Sequence, residues 1–294
     1  MTEAPAIFLL ANDRVLANVV QLLHSLRAHD CSNKVFCIQF NDGAYFLKKV
    51  CWTFGVQLWE SDLGRIDALG RRIYDSDPPA MPYPYCLGKL RKLSFLSFPA
   101  PAVYIDADCI VTATAELFNQ IFTMPTAGIG YINTSPDGVY ADVPAAVTLR
   151  ERSTFLTSGM VAKSPGAVDI AEIERFFDHA MIEEFHKVRR RDGYVDQPLW
   201  NLLVDHGFFP AVDLLADKRV SRVTSVTADL SLQPDGSASA GGLPVLLLHL
   251  AGPALKRSPR YRFLLDGMLL GGLCDIAASD PDAFSEIARF LFTR

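Results

Sequence analysis

The chain has 294 residues, 50% of them apolar and 21% charged, with a formal net charge of −5. That size supports one large or two small domains around a sizeable core. The acidic balance excludes general nucleic-acid binding and still allows a local basic patch facing an anionic ligand. No run approaches the ~18 apolar residues of a membrane-spanning helix. Cys31, Cys37, Cys51, Cys86, Cys109 and Cys274 lie apart with no CxxC pair, which reads as free thiols in a reducing compartment. Met1 to Ala6 is not basic and the apolar run after it is short, so the expectation is a cytoplasmic protein.

Ala6 to Leu10 is a continuous apolar run and predicts a buried parallel strand. Ala11, Asn12 and Asp13 follow as a turn and helix cap, and Leu16, Val19, Val20, Leu22, Leu23 and Leu26 recur at helical spacing. A strand over Lys34 to Phe40 ends at Asn41-Asp42-Gly43; a helix over Tyr45 to Thr53 and a strand over Gly55 to Trp59 come next. Asp75 to Cys86, with Pro78, Pro79, Pro82 and Pro84 among tyrosines, predicts a loop suited to shaping a pocket. Gly88 to Phe98 reads as a helix with Leu90, Leu93 and Leu96 on one side, ended by Pro99 and Pro101. Strands follow at Ala102 to Ile105, Ala127 to Ile132 and Phe155 to Ala162, then helices at Ile170 to Phe185 and Pro198 to Asp205. A polar loop over Gln233 to Gly242 precedes the apolar strand Val245 to Leu250, and helices at Leu264 to Cys274 and Phe284 to Phe292 close the chain. Strands alternating with helices predict an α/β fold with a mostly parallel central sheet in a single domain, 1–258, followed by a helical tail, 259–294.

The chemistry concentrates in Val103-Tyr104-Ile105-Asp106-Ala107-Asp108, an apolar strand running into two carboxylates one residue apart. Ligands of open α/β sheets bind outside the carboxyl ends of strands. Two acids there repel unless a cation lies between them, and Mg²⁺ and Mn²⁺ favour carboxylate oxygens. A solvated strand end or a helix cap is the plainer alternative. His249 follows the late apolar strand and offers a third metal ligand, with Gly252, Lys256 and Arg257 beyond it; alone it would read as a structural histidine. Asp196 and Gln197 precede Pro198, where Asp196 serves equally as a cap. Thr157, Ser158 and Gly159 put small residues where a ligand can approach. Lys89, Arg91 and Lys92, and the run Arg189-Arg190-Arg191, are each explained as well by a solvated face.

In this order the motifs resemble glycosyltransferases of the GT-A fold, and most closely family 8, over roughly Ala6 to Lys256. The resemblance implies that Ala11, Asn12 and Asp13 contact the nucleoside, that Lys89 reaches the donor phosphates, and that Asp106 and Asp108 bind Mn²⁺ (or Mg²⁺), Asp106 also lying near the ribose. It implies that Ser158 and Gly159 touch the donor sugar, that Asp196 and Gln197 lie near the transferred sugar, and that His249, Gly252 and Lys256 correspond to an HxxGxxK motif. Two departures stand out: Lys256 is one residue further from His249 than the family pattern has it, with Arg257-Ser258 in place of Pro-Trp, and Thr-Ser replaces Asn-Ala before Gly159.

The expected activity is metal-dependent transfer of a hexose from a nucleoside-diphosphate sugar, with uridine the implied base, to a carbohydrate, glycolipid or protein hydroxyl, with retention of configuration. The apolar segment Leu264 to Leu273 beside Arg260 and Arg262 offers a surface for peripheral contact with the inner face of a membrane or for a second copy of the chain. One alternative is a haloacid-dehalogenase-like phosphatase, whose first Asp is a nucleophile followed by Gly-Thr, where Cys109-Ile110 stand here. Another is a nucleotide-sugar-binding protein without turnover. A sugar nucleotidylyltransferase would need a Gly-rich loop where Ala11-Asn12-Asp13 stand.

Overall fold

A computed structural model describes residues 4–75, 77, 82–124, 127–134, 139–140, 155–189, 196–216, 221–223, 230–233, 235–250 and 256–293. Strand β1 (Ala6–Ala11) is buried along its whole length, as an unbroken apolar run requires. It pairs in parallel with β2 (Val35–Gln39) on one side and β4 (Ala102–Ile105) on the other, and β3 (Gln57–Trp59) extends the sheet beyond β2. Beyond β4, β7 (Phe155–Lys163) runs antiparallel, β6 (Ile129–Thr134) antiparallel to it, and β8 (Ala211–Asp213) parallel to β6. The order is β3-β2-β1-β4-β7-β6-β8. The sheet is thus mostly parallel, as the alternating pattern predicts.

Side chains alternate across this sheet. Ala6, Phe8 and Leu10 enter one core, and Ile7, Leu9 and Ala11 the other. Burying a Leu, Ile or Phe side chain on either face stabilises by about 1.5–3 kcal/mol. Helix Leu16–Ala28 covers the second face. The long helix Pro259–Ser279 packs along it: Gln21 donates to the Leu265 carbonyl at 2.9 Å, and His24 pairs with Asp275 at 2.8 Å. Gly271 and Gly272 permit this approach, since a Cβ on either would overlap His24 or Val20. In the last helix, Pro281–Phe292, Phe290 stacks on Phe46 at 4.1 Å.

A smaller sheet joins the first through the site. Strand β5 (Cys109–Val111) pairs antiparallel with β12 (Leu243–His249), which continues to β11 (Ala238–Ala240) and β10 (Ser231–Leu232); β9 (Ser221–Val223) runs parallel to β12. Asp106, Ala107 and Asp108 are the whole connection between β4 and β5.

Several predicted elements are corrected. The proline-rich loop yields at Tyr83, where helix Tyr83–Leu90 begins, because Pro82 stands at its N-cap and Pro84 in its first turn, where the missing N–H has no partner to lose. Residues 76 and 78–81 of that loop lie outside the described residues. The predicted helix Gly88 to Phe98 changes at Arg91 to a 3-10 helix, Arg91–Ser97. Ile170 to Phe185 is two helices, Ile170–Phe176 and His179–Val188, because Asp178 caps the second through the Met181 N–H. Helices Leu63–Asp75 and Ala115–Phe122 and strand β5 were not predicted, and the Gln233 to Gly242 loop contains β11. No helix of the described residues is long and apolar enough to cross a membrane.

Candidate active site

Strand register builds the centre of the site. β12 pairs with β5 so that His249 stands opposite Cys109, and the Leu250 N–H donates to the Asp108 carbonyl at 3.0 Å. From β4, the Asp106 N–H donates to the Gly159 carbonyl of β7 at 2.8 Å. Two acids, a histidine and a glycine separated by up to 143 positions therefore meet where three strands end.

Asp106 Oδ1 accepts from the Tyr104 hydroxyl at 2.7 Å, and Oδ2 lies 3.7 Å from His249 Nε2. Asp108 Oδ1 lies 3.3 Å from the same nitrogen, and Oδ2 accepts from Lys256 Nζ at 3.1 Å. One imidazole nitrogen thus sits between two carboxylates. Gly159 fits because nothing larger does: a Cβ would stand 2.9 Å from Asp106 Oδ2 and 3.0 Å from His249 Cε1. The Cys109 thiol joins the group, with Asp108, Cys109 and His249 presenting ligand atoms within 4.8 Å of one another. Two carboxylates and an imidazole fit a hard divalent cation; the buried sulfur is a softer donor that suits Zn²⁺ better than Mg²⁺ or Mn²⁺.

Burial works to raise the Asp106 carboxyl, but Lys92, Lys89 and His249 outweigh it and hold the group below the usual carboxylate range. Asp108 is likewise held well below that range, where burial is outweighed by His249 and Lys256. Both are ionised at neutral pH.

Beneath this centre lies an ion-pair cluster built on Lys92, for which a solvated face is an equal explanation in sequence. Lys92 is 0% exposed. Its Nζ lies 2.7 Å from Asp196 Oδ2 and 3.5 Å from Asp106 Oδ1, donates to the Ser158 carbonyl at 3.1 Å, and sits 4.7 Å from the centre of the Tyr104 ring. The whole turn is enclosed: Lys92, Leu93, Ser94, Phe95 and Leu96 of the 3-10 helix are all buried. Asp196 stands at the N-cap of helix Gln197–Asp205, yet its side chain makes no capping bond. It is spent on Lys92 instead, and burial of its carboxyl is outweighed by Lys92 and Lys89, which keep it below the usual range. Arg91 is also not free: it grips both oxygens of Asp67 at 2.7 and 2.8 Å. Nor is Arg189 part of a surface run, being buried and 2.9 Å from Asp77.

A cavity of about 570 Å³ opens above the acids. Ala11, Asn12, Lys89, Asp106, Asp108 and Lys256 line it, together with Tyr85 of the proline- and tyrosine-rich segment and with Phe40 and Asn41, which no motif marks. Phe40 and Asn41 follow the end of β2, so the strand-end rule that exposed Asp106 could have found them. Asn12 Nδ2 donates to Asn41 Oδ1 at 3.3 Å, which sets two carboxamides side by side on the wall. Lys89 brings a positive charge there; burial works against that charge, and Asp106 and Asp196 more than offset it. Asp13 is placed elsewhere: its carboxylate accepts from the Leu47 N–H at 2.7 Å and so caps helix Tyr45–Phe54. Ser158, Gly159, Asp196, Gln197 and His249 are not among the residues that line it. Gly252 lies outside the described residues.

No protein-family model matches the sequence, and no curated protein matches it. Solved structures do match. The bifunctional glycosyltransferase WbbM, in its apo form, superposes with a TM-score of 0.58 at 11% identity, over 99% of this chain and 52% of its own. The galactosyltransferase LgtC, solved with donor and acceptor sugar analogues, gives a TM-score of 0.57 at 12% identity, over 91% of this chain and 95% of its own. An active-site mutant of LgtC gives 0.55 at 12% identity. The present chain spans about half of the WbbM chain and nearly all of LgtC. The shared feature is the fold: this chain has the GT-A fold of those glycosyltransferases.

Proposed function

We propose that the chain transfers a hexosyl group from a UDP-sugar to an acceptor hydroxyl, with retention of configuration, using a divalent cation held by Asp106, Asp108 and His249. One observation carries this reading: both carboxylates lie within 3.7 Å of His249 Nε2 at the edge of the 570 Å³ cavity, in a GT-A fold. The glycosyltransferase fold supports sugar transfer in general. The base, the metal and the stereochemistry rest on the resemblance set out above.

In the reaction the acceptor oxygen bonds to the anomeric carbon, the bond from that carbon to the diphosphate breaks, and the hydroxyl proton is released. Negative charge grows on the departing diphosphate. A bound Mn²⁺ or Mg²⁺ supplies Lewis-acid stabilisation of that charge. Lys89 and Lys256 add fixed positive charge on the cavity wall. Lys256 spends this charge on Asp108 at 3.1 Å; a diphosphate offers it a second anionic partner. Asn12 and Asn41 present amide groups to a base. Tyr104 holds Asp106 in one orientation through its 2.7 Å bond, as ligand carboxylates require. Asp196 and Gln197 are proposed nearest the transferred sugar, and exposed Phe263 beside Arg262 keeps the terminal helix as the proposed membrane-facing surface.

Initial-rate assays of UDP-glucose and UDP-galactose hydrolysis, with Mn²⁺ or with EDTA, test the proposal. Turnover that requires the cation and disappears in Asp108→Ala is expected. Equal turnover in that variant would remove the metal assignment.

A further inference from the structure

We infer that Lys92 is a positioning residue for sugar transfer, one buried ammonium that sets the carboxylate at the diphosphate end of the site, Asp106, against the carboxylate at the sugar end, Asp196. The inference rests on the transferase reading above and deepens it.

Lys92 touches nothing in the cavity and is not on its wall. What it joins is three separate elements. Asp106 directly follows β4, Ser158 lies within β7, and Asp196 stands at the entrance of helix Gln197–Asp205. Nζ lies 3.5 Å from the first, 3.1 Å from the carbonyl of the second and 2.7 Å from the third. Few groups could do this. A carbonyl and two carboxylates are all acceptors, and only a multiple donor with no acceptor of its own satisfies them together. Apolar residues often replace a buried ion pair without loss of stability, so stability alone does not call for a lysine here. Its location does: removing the ammonium leaves Asp106 and Asp196 buried without their shared partner, free to turn apart or toward Lys89.

The segment that carries the side chain is itself enclosed. Lys92, Leu93, Ser94, Phe95 and Leu96 of the 3-10 helix Arg91–Ser97 are all buried, so the ammonium is held inside the molecule with its partners.

The test is a steady-state comparison of wild type and Lys92→Met with UDP-galactose and UDP-glucose, with calorimetric binding of UDP in Mn²⁺ to each folded protein. A misplaced reacting group costs about 100-fold in turnover. The expected result is a kcat lower by about that factor, with KM and UDP affinity changed less than about threefold, and partial recovery in Lys92→Arg, which restores the charge. A purely structural role would instead lower the yield of folded protein and leave kcat per folded molecule unchanged; that outcome overturns the inference. Should Lys92→Met not fold, the substitution is made in an Asp196→Asn background, which removes the partner's charge as well. Lys92→Met is expected to add little to the Asp196→Asn loss, because residues acting as a unit are not additive. A further loss of tenfold or more would overturn action through Asp196. Wild type inactive on every sugar nucleotide would overturn the transferase reading and this inference with it, and is distinguished from the other outcomes by the wild-type assay alone.

Discussion

At the scale of single residues, the site is a problem of charge placed under burial. Asp106, Asp108 and Asp196 would each be costly alone, and each is matched by a lysine within 3.5 Å. Gly159 shows how little room remains. In Gly159→Ala the new methyl must displace Asp106 or His249, and Mn²⁺ binding followed by calorimetry is expected to weaken by about 10-fold or more, the usual effect of disturbing the support of a metal ligand. Unaltered Mn²⁺ binding would show that the pocket between the two side chains is not where the ion sits. The Asp106–Asp108 pair was legible in the sequence because an apolar strand points straight at it. The role of Lys92 was not, since a solvated face explains Lys89, Arg91 and Lys92 equally well and nothing local reveals that the turn from Lys92 to Leu96 is buried throughout. For Asp196 the sequence left a cap and a place near the transferred sugar open: Pro198 signals a helix start, but nothing local reveals that the carboxylate has a partner 104 positions away.

At the scale of elements, strands were easier to read than the connections between them. β1 and β4 are continuous apolar runs buried along their length, β2 is apolar up to Gln39 with a buried centre, and their identity follows from composition. β5 is three residues long and β11 is Ala-Ser-Ala, so neither carries a pattern; both exist because β12 offers an edge to pair with. The proline-rich segment misled in the opposite direction, because prolines in a first helical turn look the same in sequence as prolines in a loop. The terminal helix is held by contacts specific enough to break. Gly271→Leu places a side chain in the space of His24 and is expected to destabilise the protein by about 1–3 kcal/mol, measured by urea unfolding. Unfolding at the wild-type midpoint would mean that the helix is free to leave helix Leu16–Ala28, and that residues 259–294 behave as a dispensable tail.

For the whole molecule, the GT-A fold joins the central strand of the larger sheet to the smaller sheet by a short link, Asp106-Ala107-Asp108, that lines the cavity. The same arrangement predicts how stability depends on pH. Asp106, Asp108 and Asp196 are all depressed in the folded protein. A depressed carboxyl contributes stability above its unfolded value of ~3.9 that is lost as pH falls toward its folded value. The melting temperature should therefore be insensitive to these groups from neutral pH down to about pH 5 and fall steeply below about pH 4. In Asp196→Asn the acid-side slope should be shallower than in wild type. An identical slope would show that Asp196 is not ionised in the folded state.

The central claim is that a nucleoside diphosphate and a divalent cation bind together at Asp106, Asp108 and His249. The most direct test is thermal unfolding with UDP, GDP, ADP and CDP in turn, each with Mn²⁺ or with EDTA, in wild type and Asp108→Ala. A ligand bound only by the folded state, at a hundredfold excess over its Kd, stabilises by about 2.7 kcal/mol. The account predicts an upward shift with UDP that needs Mn²⁺ and is absent in Asp108→Ala. A shift with UDP that is unchanged by EDTA would contradict the metal assignment. No shift with any of the four nucleotides would contradict the donor site itself.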